Sequence, residues 1–269
     1  MEAVYPANEA EALAWWIVEE ETGLSRSQIL TGCKITKNFA HVQDIIERLL
    51  HFEPIQYIYG HTLWRGLDLK VTPATLIPRP ETAELVEKIL NFKLQISNCR
   101  CLDIGTGSGC IAIALKKTHP DWQVTGVDIS AEAIEVAREN AQRNGVEVEF
   151  KVANIFDFND KISNVQCSIF NSYDLVVSNP PYVRECEKMS MKPNVLQYEP
   201  ESALFVPDDD PLRFYRQIAE LRLGRFLFFE INEAFPQEIT DMLSQLGYTD
   251  IQITNDIYGK PRIIKGRMA

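Results

Sequence analysis

The sequence lacks any long hydrophobic segment. Its 269 residues contain no run of about eighteen apolar residues, the length that a helix needs to cross a bilayer, so we expect no transmembrane helix. The amino-terminal stretch MEAVYPANEAEALAWW has neither the basic start nor the apolar core of a secretory signal. These two absences predict a cytoplasmic protein that does not act at a membrane.

Cysteine patterns typical of metal and redox sites are also absent. None of the six cysteines forms a C-x-x-C pair, and the four histidines form no cluster that could complete a metal site. Structural zinc sites and thiol redox sites need such groupings, so we expect reduced cysteines and no structural metal. Cys99 and Cys101 fall in a predicted buried strand, where core packing is their expected role.

Positive charge is scarce as well. Lysine and arginine number 27 against 38 acidic residues, which gives a formal net charge of −11. Nucleic-acid backbones attract basic surfaces, so we expect no direct nucleic-acid partner. Four arginines cluster in the sequence, but their helical spacing is more typical of a solvated helix face. They are Arg213, Arg216, Arg222 and Arg225.

The chain is long enough for one large domain or two unequal ones. Residues 1–58 predict a small helical domain that recognises a substrate, with helices at 9–22, from Ser25 onward and at 38–51. Residues 59–80 predict a linker in which apolar and polar residues alternate around Gly66, as in a hairpin. The linker ends in PATLIPRP, where Arg79 is either a surface residue or has a functional or inter-domain role.

Residues 81–269 predict a third segment, in which strands and helices alternate. We expect helices at 81–92, 109–118, 131–144 and 235–247, and strands at 99–104, 122–128, 147–152, 173–178, 225–230, 250–254 and 260–267. Such alternation is typical of a parallel α/β sheet with right-handed crossovers. Ligands of these sheets bind beyond the carboxyl ends of the strands, where Gly105, Asp128, Asn154 and Asn179 are expected.

A glycine-rich segment indicates a nucleotide-like cofactor. The sequence CLDIGTGSG (101–109) runs from a predicted buried strand into a helix, with glycine at three alternate positions. Glycine permits sharp turns and a close approach of the backbone to a ligand. Asp128 ends the next strand about twenty residues later, where a carboxylate reaches ribose hydroxyls. The spacing G-x-G-x-G fits the dinucleotide pattern G-x-G-x-x-G poorly, which disfavours a dehydrogenase.

The corner Asn179-Pro180-Pro181-Tyr182 follows the strand at 173–178. Both prolines restrict the backbone and neither has an N–H, so the corner offers the Asn179 side-chain oxygen and the Pro180 carbonyl as acceptors. Two such acceptors match the hydrogens of an –NH₂ group, and the Tyr182 ring can lie against its flat face. Asn-Pro and Pro-Pro pairs are also ordinary turn residues. The position beside the predicted cofactor favours a site.

Five motifs together carry a family resemblance. IPRPET (77–82), LDIGTGSG (102–109), VDIS (127–130), SNPPYV (178–183) and EPESAL (199–204) resemble the release factor N5-glutamine methyltransferases, the HemK/PrmC family, over nearly the whole chain. We expect a monomer, and the resemblance implies a Rossmann-like class I methyltransferase sheet and S-adenosyl-L-methionine as cofactor. It also implies methylation of the glutamine in the Gly-Gly-Gln motif of the peptide chain release factors of translation termination.

An alternative shares part of this pattern. NPPY also occurs in adenine-N6 methyltransferases, which act on DNA or RNA. The PRPET segment, the helical domain and the E-P-x-x-A-L segment favour the protein-glutamine branch, and no target-recognition insertion or basic channel is evident in the sequence.

The resemblance also implies a role for each motif residue. The cofactor would contact Gly105, Thr106, Gly107, Ser108, Gly109, Asp128, Ile155, Phe156 and Asn179. The substrate glutamine would lie against Asn179, Pro180, Pro181 and Tyr182, of which Asn179, Pro180 and Tyr182 would be catalytic. Two positions depart from the family pattern: Asn154 stands where an acidic residue is common, and Glu230-Ile231-Asn232 replaces the usual E-I-G.

Overall fold

The chain forms two compact units in a computed structural model that describes residues 4–34, 41–92, 96–157 and 173–269. One unit is Met1–Tyr59 with Lys192–Tyr198, and the other is Gly60–Met191 with Glu199–Ala269. The hairpin that follows residue 59 thus belongs to the larger unit, while the predicted boundaries at 58 and 80 stay predictions. Among the described residues, no helix has the length and apolar character needed to span a membrane.

The helices and strands have the following bounds. The helices are α1 (Ala7–Thr22), α2 (Arg26–Leu30), α3 (Val42–Leu50), α4 (Ile55–Tyr59), α5 (Pro80–Asn91), α6 (Cys110–Thr118), α7 (Ala131–Arg143), α8 (Pro193–Tyr198), α9 (Arg213–Glu220) and α10 (Pro236–Gln245). The strands are β1 (His61–Trp64), β2 (Leu67–Lys70), β3 (Arg100–Ile104), β4 (Gln123–Asp128), β5 (Glu149–Val152), β6 (Tyr173–Ser178), β7 (Val183–Arg184), β8 (Phe205–Val206), β9 (Gly224–Glu230), β10 (Tyr248–Asn255) and β11 (Pro261–Met268).

The smaller unit is helical, as its sequence predicts. Gly23 ends α1 in the left-handed conformation, and the Ser25 side chain caps α2. Its core is formed by four buried side chains from α1, α3 and α4: Ile17, Ile45, Leu49 and Ile55. Helix α8 joins this unit through the Tyr198 hydroxyl, which donates to the His51 carbonyl at 2.9 Å. The predicted start of the third helix at residue 38 lies outside the described residues, and α4 was not predicted.

The larger unit contains a seven-stranded sheet in the order β10-β11-β9-β6-β3-β4-β5. The pairs from β9 to β5 are parallel, whereas β11 is antiparallel to both β9 and β10. The parallel arrangement expected from the alternation thus holds from β9 to β5 and does not extend to β11. No crossover helix separates β10 from β11, and a short turn at Asp256–Lys260 reverses the chain.

Apolar side chains pack on both faces of this sheet. Along β3, Cys101 points to the face covered by α5, α6 and α7, while Leu102 and Ile104 point to the face covered by α9 and α10. Cys99 and Cys101 are buried free thiols, so their predicted core packing is confirmed. The predicted helices do not include α9, although the spacing of Arg213 and Arg216 indicated a solvated helix face. The opposite side of α9 is buried and is formed by Tyr215, Ile218 and Ala219.

The hairpin β1–β2 packs on this unit through its turn and one polar side chain. Arg65 and Gly66 both have positive φ, 50° and 72°, as a two-residue turn of this kind requires. Asn140 of α7 is fully buried; its Oδ1 accepts the Lys70 N–H at 2.6 Å, and its Nδ2 donates to the carbonyls of Lys70 and Ser108 at 2.9 Å each. One amide thereby joins the hairpin to the glycine-rich loop.

Replacement of Asn140 by alanine tests this joint. The change removes hydrogen bonds from buried backbone groups, so the free energy of unfolding should fall by about 1–3 kcal/mol. Urea denaturation followed by circular dichroism measures the loss. Gln142→Ala, at an exposed position of the same helix, is the control and should change stability by less than about 0.5 kcal/mol. Equal effects of the two substitutions would contradict the assignment.

Candidate active site

The glycine-rich loop lies directly beyond β3 and is fixed to β4. The backbone N–H groups of Gly105 and Thr106 donate to the Val127 carbonyl at 2.9 and 3.0 Å. Gly105, Gly107 and Gly109 have φ of 69°, 53° and 80°, a region that favours glycine. A Cβ placed on Gly105 or Gly107 would meet no atom within 4 Å. The loop therefore faces open space that a ligand can approach closely.

Asp128 borders this loop at the end of β4. Its Oδ2 accepts the Gly107 N–H at 2.9 Å and its Oδ1 accepts the Ser130 N–H at 2.9 Å. Burial raises the pKa of the Asp128 carboxyl. Each oxygen retains a lone pair that can accept a ligand hydroxyl. Ile129, which follows directly, has 61% of its surface exposed and provides an apolar surface beside the carboxylate.

Asp103 is a site residue that the sequence analysis did not identify. It lies one position before the end of β3 and is fully buried; its Oδ2 accepts the Thr106 hydroxyl at 2.6 Å and the Ala112 N–H at 3.3 Å. Its Oδ1 has no hydrogen-bond partner among the described residues. Burial raises the pKa of Asp103 to about 7. An acid within the apolar segment CLDI was the signal in the sequence.

The corner 179–182 lies beside the same loop. The Ser178 hydroxyl donates to the Ile104 carbonyl at 2.6 Å, which fastens the end of β6 to the end of β3. Asn179 is partly buried, and its Nδ2 donates to the Thr82 hydroxyl oxygen at 3.1 Å. The Tyr182 hydroxyl donates to Glu230 at 3.1 Å. The carboxyl ends of β3, β4 and β6 thus bring the predicted glycines, Asp128 and the corner to one edge of the sheet.

The segment 154–156, which follows β5, makes contacts within the protein. Ile155 is buried in the core, and the Phe156 ring packs edge-on against Phe214 with centroids 5.2 Å apart. The Asn154 side-chain oxygen accepts the Phe156 N–H at 3.1 Å and so closes the turn. Cofactor contacts of Ile155 and Phe156 stay predictions.

Glu230 and Thr82 complete the site and were not predicted as site residues. Glu230 ends β9 and has 1% of its surface exposed; its Oε2 accepts the Thr82 hydroxyl at 2.7 Å, and its Oε1 accepts the Tyr182 hydroxyl. Burial raises the pKa of Glu230 to about 7. The Asn232 side-chain N–H donates to the Tyr182 carbonyl at 3.0 Å, so the departure from E-I-G adds a contact to the corner. Glu230, like Asp128, stands at a predicted strand end.

Arg79 holds the segment that carries Thr82. Its guanidinium donates to Glu199, whose side chain is fully buried and whose second oxygen accepts the Ile77 N–H at 3.2 Å. The Trp64 indole N–H donates to the Arg79 carbonyl at 2.9 Å. Arg79 therefore joins the IPRPET and EPESAL segments within the larger unit, and a functional role for it stays a prediction.

Two surface cavities lie away from this site. Their volumes are about 420 and 560 Å³, and both are lined by residues at the amino-terminal ends of strands, such as Gln123 in one and Gly224 in the other. Neither is lined by a residue of the glycine-rich loop or the corner. Because ligands of open α/β sheets bind at the opposite edge, the site is located by its polar groups and not by cavity size.

The fold and the glycine-rich loop with Asp128 define a methyltransferase of the Rossmann-like class I. A family model described as "Methyltransferase domain" matches residues 95–258. A methyltransferase structure from Pyrococcus furiosus superimposes with a TM-score of 0.53 at 18% identity, over 84% of this chain and 98% of the other. The predicted fold class is thus confirmed.

The comparisons also give the family. A model described as "PrmC N-terminal domain" matches residues 4–60. The chain is 45% identical to the release factor glutamine methyltransferase of Bacteroides thetaiotaomicron, over 98% of this chain and 95% of the relative. It is 39% identical to the enzyme of the same name from Flavobacterium psychrophilum, over 98% and 93%. The chain belongs to the release factor glutamine methyltransferase family, and the predicted resemblance is confirmed.

Replacement of Arg79 by alanine tests the link between the IPRPET and EPESAL segments. The change leaves the buried Glu199 carboxylate without its cation, so the free energy of unfolding should fall by about 1.5–3 kcal/mol. Thermal and urea unfolding measure the loss. Arg225→Ala, at an exposed position of β9, is the control. A change no larger than that of the control would show that the Arg79–Glu199 pair is not important for stability.

Proposed function

We propose that this protein transfers a methyl group from S-adenosyl-L-methionine to the side-chain amide nitrogen (N5) of the glutamine in the Gly-Gly-Gln motif of peptide chain release factors. The observation that carries the proposal is the position of the Asn179 carboxamide: its nitrogen is bound by Thr82 beside the glycine-rich loop. Its oxygen is left to accept a substrate N–H. Membership of the family supports the same reaction.

The site fits this cofactor by the chemistry of its groups. When bound, S-adenosyl-L-methionine supplies an electrophilic methyl group on a positively charged sulfur. The open space at Gly105 and Gly107 suits the methionine portion, and the Asp128 carboxylate suits two ribose hydroxyls. The apolar surface of Ile129 and the Phe156 ring suit the adenine. The buried carboxyl of Asp103 adds an acidic group behind the loop.

The corner solves the main chemical difficulty of the substrate. An amide nitrogen shares its lone pair with its carbonyl and is a poor nucleophile. Asn179 Oδ1 and the Pro180 carbonyl hold both N–H groups and orient the nitrogen, and such positioning is worth up to about 7–11 kcal/mol in well-aligned cases. The same oxygens stabilise positive charge that develops on the nitrogen. The Tyr182 ring adds a cation–π contribution of about 0.5–2 kcal/mol.

A general base is not needed before the transfer. As the new C–N bond forms, the S–CH₃ bond would break and leave a neutral thioether. The amide proton becomes acidic only then and would be lost to solvent, so acceptors suffice in place of a histidine or carboxylate. This explains why the corner presents an asparagine and a proline carbonyl. The helical unit is proposed to recognise the release factor, and the enzyme is proposed to act as a cytoplasmic monomer.

A labelling experiment tests the function. The purified protein is incubated with methyl-labelled S-adenosyl-L-methionine and a purified release factor, and the product is mapped by mass spectrometry. We expect one methyl group on the Gly-Gly-Gln glutamine and no label on a factor in which that glutamine is alanine. Label on an added DNA or RNA and not on the factor would favour the adenine-N6 alternative.

Asn179→Ala tests the corner directly. Removal of the side-chain acceptor should lower kcat by about 10²–10³-fold, the usual cost of losing one preorganised group that stabilises developing charge. Cofactor affinity, measured by calorimetry, should stay within a few-fold of the wild type. An equal loss of both would make Asn179 a cofactor or folding residue instead.

Asp128→Ala tests the ribose assignment. Two hydrogen bonds to a carboxylate are lost, so the dissociation constant of S-adenosyl-L-methionine should rise by about 100-fold, equivalent to about 3 kcal/mol. Calorimetry measures the constant without turnover. Asp121→Asn, at an exposed position before β4, is the control. Unchanged affinity in Asp128→Ala would overturn the assignment.

A further inference from the structure

We propose that Thr82 and Glu230 are positioning residues that fix the orientation of the Asn179 carboxamide, with its oxygen towards the substrate amide. The inference rests on the proposed function and adds two residues to it. Neither residue belongs to the corner, and neither needs to touch the substrate. They act through the hydrogen bonds that they make with Asn179 and with each other.

The orientation of Asn179 decides whether the corner can work. The two ends of a carboxamide are nearly equal in size, so packing alone does not distinguish the oxygen from the NH₂ group. With its oxygen outward, Asn179 accepts a substrate N–H. With its NH₂ group outward, it would present donors to the donors of the substrate. Some contact on the inner side must therefore select one orientation.

A directed chain of hydrogen bonds makes this selection. An ionised carboxylate can only accept, so the Thr82 hydroxyl donates its single hydrogen to Glu230 Oε2 at 2.7 Å. The Thr82 oxygen is then an acceptor, and the Asn179 Nδ2 donates to it at 3.1 Å. Because Thr82 has 3% and Glu230 has 1% of its surface exposed, water has little access to compete for these bonds.

Tyr182 supports the same direction of hydrogen bonding, because it donates to the second carboxylate oxygen of Glu230. Its hydroxyl donates to Oε1 at 3.1 Å. Burial raises the pKa of Tyr182 well above its usual value, so this hydroxyl keeps its proton at neutral pH. Both carboxylate oxygens of Glu230 thus receive a hydroxyl hydrogen, and the corner is held at Asn179 and at Tyr182 by one buried group.

Protonation of Glu230 would reverse the donors and acceptors along this chain of hydrogen bonds. A protonated carboxyl can donate to the Thr82 oxygen, which frees the Thr82 hydrogen to donate to the oxygen of Asn179 and turns the NH₂ group outward. Burial is the largest influence on Glu230 and raises its pKa to about 7. Hydrogen bonds from Thr82 and Tyr182 and the charge of Arg262 on β11 act to lower the pKa, whereas the charge of Glu81 on α5 acts to raise it. Tyr215 on α9 and the thiol of Cys110 on α6 also face Glu230. Activity should therefore rise with pH through about 7.

The first experiment compares Thr82→Val with Thr82→Ser in the methylation of a release factor. Valine keeps the shape but removes the hydroxyl, so kcat should fall by about 100-fold, as expected when a reacting group is misplaced. KM for the release factor and the calorimetric affinity for S-adenosyl-L-methionine should stay within a few-fold. Serine restores the hydroxyl and should restore kcat. Thr118→Val, in which the lost hydroxyl bonds only to its own helix, is the matched control.

The second experiment uses Glu230→Gln, alone and combined with Thr82→Val. The amide cannot accept from both hydroxyls and has no charge, so kcat should fall and the rise of kcat through about pH 7 should disappear. Because both residues act through one chain, the double variant should be no slower than the slower single variant. Additive losses, or a pH rise that survives in Glu230→Gln, would overturn the proposal.

The outcomes separate this inference from the proposed function. If the wild type does not methylate the Gly-Gly-Gln glutamine, the proposed function fails. If the wild type methylates it but Thr82→Val matches Thr118→Val in kcat, the function stands and the positioning role fails. Equal losses of kcat and melting temperature in Thr82→Val and Thr82→Ser would show that Thr82 is a packing residue only.

Discussion

The buried carboxylate of Glu230 is the constraint on which the site depends. A charge without water around it is costly unless donors surround it, and here the two donors are Thr82 and Tyr182. They come from segments far apart in the sequence, so satisfying one carboxylate brings both segments to the end of β9. The need to satisfy this buried carboxylate thereby helps to fix the corner 179–182, the proposed substrate-binding segment.

Hydrogen bonds between the ends of neighbouring strands also fix the positions of the site residues. The ends of β3 and β6 are joined by Ser178, and the loop after β3 is held by the Val127 carbonyl of β4. Backbone and buried side-chain contacts of this kind leave few rotamers to be ordered when a ligand binds. The polar groups at this edge of the sheet are therefore held in place by contacts within the protein.

Local patterns predicted most of this architecture, and long-range pairing explains what they missed. The strand at 173–178 and the glycine-rich loop follow from short apolar runs and turn residues, and both lie where predicted. Thr82 and Glu230 are 148 positions apart in the sequence. No local pattern indicates that a threonine at the start of a helix forms a hydrogen bond with a glutamate at the end of a distant strand. The side chain of Ile155 packs in the core, and its expected contact with the cofactor stays a prediction. The spacing of apolar residues predicts which side chains are buried, but it does not predict which residues they contact.

The antiparallel strand β11 has a consequence for biosynthesis. It lies between β9 and β10, so the strand that carries Glu230 keeps one open edge until residues 261–268 leave the ribosome. Open edges can pair with other chains, and nascent domains fold progressively as they emerge. Among the seven strands of this sheet, the one synthesised last is thus an internal one, and the nascent chain cannot complete the sheet before translation has passed that point.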